Sequence, residues 1–157
     1  MDTNNIEQKL AEMGLQFPQV NPSKGIYKRC LTVDKFLFVS GHVSVGADGQ
    51  FITGKIGINL SEEEGKAAAR QCALSILASI KNHLGSFDKL KRVIKILGWV
   101  NCSPDYEKHA LIVNGCSELF VKLLGEENGI GVRSAVGMGS LPGNVAIEVE
   151  ALFELHD

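Results

Sequence analysis

The chain is poor in most features that mark a specialised protein. It holds one tryptophan, two tyrosines and four prolines in 157 residues, and its charges nearly cancel: 16 Lys+Arg against 18 Asp+Glu, a formal net charge of −2. That balance excludes the strongly basic surface by which nucleic-acid-binding domains hold phosphates, so nucleic acid is not an expected partner. No apolar run approaches the roughly 18 residues of a membrane-spanning helix, and no membrane association is expected. The first ten residues, MDTNNIEQKL, are polar and acidic where a signal peptide is basic and then apolar, which makes the cytoplasm the expected location. The four cysteines, Cys30, Cys72, Cys102 and Cys116, form no CxxC pair and have no histidine at zinc-finger spacing. Neither a disulfide framework nor a metal site is therefore expected. Catalytic signatures are missing too: there is no GxGxxG, Walker loop, HExxH or GxSxG.

What is present is an ordinary globular mixture, 45% hydrophobic and 22% charged, at a length that suits one domain over residues 1–157. A short N-terminal helix is expected over about residues 5–13, ended by Gly14. Residues 27–33 and 36–40 read as two strands joined by a tight turn at Asp34-Lys35, and Ala47-Asp48-Gly49-Gln50 reads as another turn. Ser61 followed by Glu64 is a capping box. Behind it Ala69, Cys72, Ala73, Ile76, Leu77, Ile80 and Leu84 recur at helical spacing up to Gly85. LKRVIKILGWVN, residues 90–101, is rich in β-branched residues and reads as a long strand. Ser103-Pro104 is the expected start of a second helix, with Tyr106, Ala110, Val113, Ser117, Phe120 and Leu124 as its stripe and Gly125 as its end. Residues 133–138 and 145–155 read as strands around the turn Leu141-Pro142-Gly143-Asn144.

This pattern predicts an α+β fold, a mostly antiparallel sheet with two long helices packed on one face. In the last strand Val145, Ile147, Val149, Ala151, Phe153 and Leu155 share the face expected to meet the helices. Ala146, Glu148, Glu150, Leu152 and Glu154 share the other. Two helices cover only one face, so the second is left to water or to another subunit. Among the histidines, His83 and His109 are expected at the surface and His156 at a frayed end.

Several blocks in this order resemble the Rid/YjgF family of reactive-intermediate deaminases, also labelled endoribonuclease L-PSP. They are Tyr27 with Phe38-Val39-Ser40-Gly41, Asn114 in the second helix, Arg133-Ser134, Leu141-Pro142, and Ile147-Glu148-Val149-Glu150-Ala151. The resemblance spans roughly residues 24–155. It implies a chorismate-mutase-like homotrimer with sites in clefts between subunits. The implied reaction is hydrolysis of 2-imino acids or their enamine tautomers to 2-keto acids and ammonia, with no cofactor. Arg133 would bind the substrate carboxylate through its guanidinium fork, and Glu148 would orient or deprotonate water. Tyr27, Gly41, Asn114 and Ala135 would line the site. A structural reading stands beside this one: Arg133 pairs with Glu148 or Glu150 across strands, and Asn114 bonds a neighbouring subunit. A non-catalytic binder of small carboxylates is the alternative function, and an endoribonuclease is less expected. The chain departs from the active deaminases at Ala135 (often Cys), His42 (Gln in many members), Ile26 (Pro) and Ser117 (often Tyr). These departures look like a separate branch, in which His42 adds a general base or lines the cleft passively.

Overall fold

Five segments form the strands β1 (Cys30–Val33), β2 (Phe36–Val43), β3 (Leu90–Asn101), β4 (Val132–Met138) and β5 (Ile147–Leu155), with burial alternating most clearly along β5. In the computed structural model, which describes residues 6–19 and 21–157, they make one sheet in the order β1-β2-β5-β3-β4. Three of the four neighbouring pairs are antiparallel. The exception is β3 with β4, which run parallel and are joined through helix α3 (His109–Leu124). Parallel neighbours need such a crossover, because a tight turn would reverse the chain. The sheet is therefore mixed.

Helix α2 (Glu62–Leu84) and α3 cover one face of this sheet. The capping box forms as expected: the Glu64 amide donates to Ser61 Oγ at 3.1 Å, and the Ser61 amide donates to the Glu64 carboxylate at 2.8 Å. These bonds hold the Glu64 carboxyl below its ordinary range. Ala69, Cys72, Ala73, Ile76, Leu77 and Ile80 are all buried, and Phe120 of α3 meets Phe153 of β5 edge-on at 5.5 Å. The short α1 (Ile6–Glu12) adds Ile6 and Leu10 to the same core. Asn5, the first residue expected in that helix, lies outside the described residues.

Three expectations need correcting. Tyr27 is not in a strand: the ladder with β2 begins at the Cys30–Val39 pair, because β2 bulges between Val39 and His42. Instead Ser40 reaches back, its amide donating to the Arg29 carbonyl at 2.9 Å and its hydroxyl to the Lys28 carbonyl at 2.6 Å. The second long helix starts at His109, not at Ser103-Pro104. Ser103 is held by its amide to the Ile56 carbonyl and closes a turn to Tyr106, whose hydroxyl docks on Glu62, so residues 103–108 are a connection. Finally, one helical turn, α4 (Glu126–Gly129), separates α3 from β4.

The second face of the sheet is open and apolar. Leu31, Phe36, Phe38 and Val136 are 45, 45, 47 and 41% exposed. Leu31, Phe38, Leu152, Lys95 and Val132 stand side by side across all five strands. Glu148 and Glu150 sit on this same face, as the alternation in β5 predicts.

Candidate active site in two halves

Arg133 lies on β4, an edge strand, and its side chain turns toward the helices. Its register partner is Ile96, whose own partner Ala151 is buried under them. Arg133 Nη1 donates both to Asn114 Oδ1 at 2.8 Å and to Ser117 Oγ at 3.1 Å. Both acceptors come from α3, three residues apart and so on one helix face. A single nitrogen makes both bonds. Nη2 and Nε have no partner among the described residues and remain as a fork for a planar anion. Ala135, two residues along β4, points the same way and packs on the core. Its methyl offers no chemistry, only room. Cys116, buried behind Arg133, has its thiol pushed by burial up to about 12 and supplies no thiolate near neutral pH.

The remaining residues gather on the β2–β5 side of the sheet. On its β1 side β2 has no ladder partner past Val39, although His42 and Val43 still pair with β5, and a cleft of about 690 Å³ opens along that edge. Tyr27, Ser40, Gly41, His42, Pro142 and Glu148 line it. The half-exposed Tyr27 ring folds back over Gly25, where a side chain would collide with it. Glu148 lays its carboxylate against the backbone of Gly41, where a Cβ would run into it. Gly41 is thus needed for close approach. Burial, and then the charge of Glu150, raise the Glu148 carboxyl above its ordinary range. That is the direction expected of a group that exchanges protons near neutral pH.

The structure brings Arg133, Asn114 and Ala135 together, with Ser117, and it brings Tyr27, Gly41 and Glu148 together. It keeps the two groups apart. Gly41 on β2 lies three strand spacings, about 14 Å, from β4, and Glu148 on the central strand β5 lies two, about 10 Å, on the opposite face from Arg133. The cross-strand pairing of Arg133 with Glu148 or Glu150 is excluded by the same parity. His42 is buried on the helix side. Its Nδ1 donates to the Ser40 carbonyl at 2.6 Å, so its Nε2 accepts from the Ser79 hydroxyl at 2.8 Å. Burial drives its pKa down to about 4. It is a neutral strut for the bulge, with both nitrogens engaged. His83 is exposed and bonded to Thr32, whereas His109 is half-buried against Tyr106 and Cys102.

Sequence reasoning missed two contributors. Ser117 stands in the sequence reading as part of the helix stripe and as a departure from the active deaminases, although its spacing from Asn114 places both on one helix face. Arg29, which also lines the β2 cleft, carried a signal as a cation two residues after Tyr27.

Residues 7–153 match the family model described as "YjgF/chorismate_mutase-like, putative endoribonuclease". Protein TCP17 of Trypanosoma cruzi is 35% identical over 155 residues, 99% of this chain and 97% of that one. The crystal structure of the protein Atu1372 of Agrobacterium tumefaciens is 35% identical, covers 98% of this chain and 96% of its own, and superposes with a TM-score of 0.88. A "putative endoribonuclease" of Shewanella oneidensis, 26% identical, covers 96% and 99% with a TM-score of 0.89. Among the described residues no helix is long and apolar enough to cross a membrane.

Proposed function

The chain belongs to the YjgF/chorismate mutase-like family, and from that premise we propose that it hydrolyses reactive 2-imino acids, or their enamine tautomers, to 2-keto acids and ammonia in clefts between the subunits of a homotrimer. The observation that carries this reading is the division of the site residues between the β4 edge and the β2–β5 side of the sheet, on opposite faces. Arg133 with its α3 partners lies at the β4 edge, while Tyr27, Gly41 and Glu148 lie beside the free edge of β2. One protomer cannot close a site from them. A head-to-tail contact, the β4 edge of one copy against the β2 cleft of the next, joins the halves. Repeated head to tail, such a contact is heterologous, and it closes into a ring when its rotation divides a full turn, a third of a turn giving the homotrimer. The open apolar face gives the ring a surface to bury.

In the joined cleft, the free nitrogens of Arg133 take the substrate carboxylate through parallel bonds. Water attacks the imine carbon. Glu148 takes the proton that the water releases and passes it to the nitrogen. Glu148 next takes the hydroxyl proton of the carbinolamine and gives it to the amine nitrogen, the C–N bond breaks, ammonia leaves, and the oxygen becomes the ketone. A carboxyl with raised proton affinity suits both the taking and the giving.

The test supplies imines generated in situ by an amino-acid oxidase and follows ammonia and 2-keto acid. Wild type should exceed the buffer rate. Glu148→Gln should lose about 10²–10⁴-fold, and Arg133→Ala should lose saturable binding. Wild type at the buffer rate while still binding 2-keto acids would make the protein a carboxylate binder and overturn the hydrolase reading.

A further inference from the structure

Arg29 is a cation in the β2 cleft that the proposed reaction does not use. It is half-buried, and among the described residues its guanidinium makes one hydrogen bond, Nη2 to the Asn21 carbonyl at 2.9 Å. Its Nε is shut off from water and has no partner among the described residues. Among the described residues no carboxylate lies within ion-pair distance of it. A guanidinium stays charged at any ordinary pH, and withdrawing that charge from water without a counter-ion is costly. Glu148 lines the same cleft but makes no ion pair with Arg29. The backbone beneath Arg29 is fixed by the two bonds from Ser40, so its side chain starts from a defined place.

We infer that Arg29 is a second anion site, and that the preferred substrates are dicarboxylic 2-imino acids, held at the 2-carboxylate by Arg133 of one copy and at the terminal carboxylate by Arg29 of the next. The assignment to substrate rests on the hydrolase reading above, since it places the ligand between the two halves. The competing role for Arg29 is to tether the loop at Asn21. That role needs only one N–H donor, which glutamine retains.

The experiment titrates the intact protein calorimetrically with 2-oxoglutarate and with 2-oxopentanoate, which share a carbon skeleton and differ in the terminal carboxylate. Wild type should prefer 2-oxoglutarate by about tenfold or more. Arg29→Gln should bring the ratio near one, Arg29→Lys should keep part of it, and Arg133→Ala should weaken both ligands. A general loss of stability lowers both affinities and does not move the ratio. Equal binding by wild type, binding of neither keto acid, or an unchanged ratio in Arg29→Gln overturns the second site. Imines of glutamate and norvaline are assayed in parallel. A binding preference without hydrolysis sinks the hydrolase and leaves the anion site. Hydrolysis of both imines with equal efficiency and equal binding does the reverse.

Discussion

His42 and Glu148 sit near each other on the two faces of the sheet, and burial moves their proton affinities in opposite directions. His42 falls from an ordinary value of 6.5 to about 4. Between those values the unfolded chain binds a proton that the folded imidazole refuses. Its contribution is therefore complete above about pH 6.5 and is lost as the pH falls toward 4. The whole effect is up to about 3 kcal/mol. Urea denaturation followed from pH 7 to pH 4 should show this acid limb in wild type and a shallower one in His42→Gln. An unchanged slope would remove the buried, neutral assignment. Glu148 has the opposite sign: its raised carboxyl favours the folded state at low pH, and that contribution is lost as the pH rises through the raised value.

The elements are held by short-range chemistry at their ends. Three acids occupy the first turn of α2, and the Ser61–Glu64 exchange satisfies two backbone N–H donors with side-chain acceptors at once. Ser61→Ala should cost about 1 kcal/mol, or roughly 2–4 °C in Tm for a chain of this size, read by thermal denaturation with the fold unchanged. A change within error would mean that the cap is dispensable. By contrast α3 starts at His109 behind Lys108, which makes no side-chain cap bond. The start is set from outside by the docking of Ser103 and Tyr106 on neighbouring segments. That is why the Ser-Pro pair misled: its local preference for a helix start is real, and tertiary bonds to Ile56 and Glu62 overrule it.

For the whole molecule, a site divided between copies makes a prediction that no single-chain site makes. Arg133→Ala and Glu148→Gln variants, each inactive alone, should regain activity when unfolded and refolded together. In randomly mixed rings about one quarter of the heterologous contacts join an intact Arg133 to an intact Glu148. Imine hydrolysis near that fraction of wild type is the expected result. No recovery, with mixing verified by mass, would place the catalytic groups within one chain.

Most helix and strand positions, apart from the strand start at Tyr27 and the helix start at Ser103, were legible in the sequence, as were the capping box, the turn residues and the alternation of β5, because each depends on residues within a few positions of one another. The types of side chain at Arg133, Glu148, Tyr27 and Gly41 were legible in the same way. What only the tertiary structure decided is where these groups stand. β5, the last strand of the chain, inserts between β2 and β3, and the crossover through α3 sets β4 outside β3. That order separates Arg133 from Glu148, turns Arg133 toward Asn114 and Ser117, and leaves Arg29 in a cleft without a counter-ion among the described residues. Strand order follows from pairing between residues far apart along the chain, which no local pattern encodes.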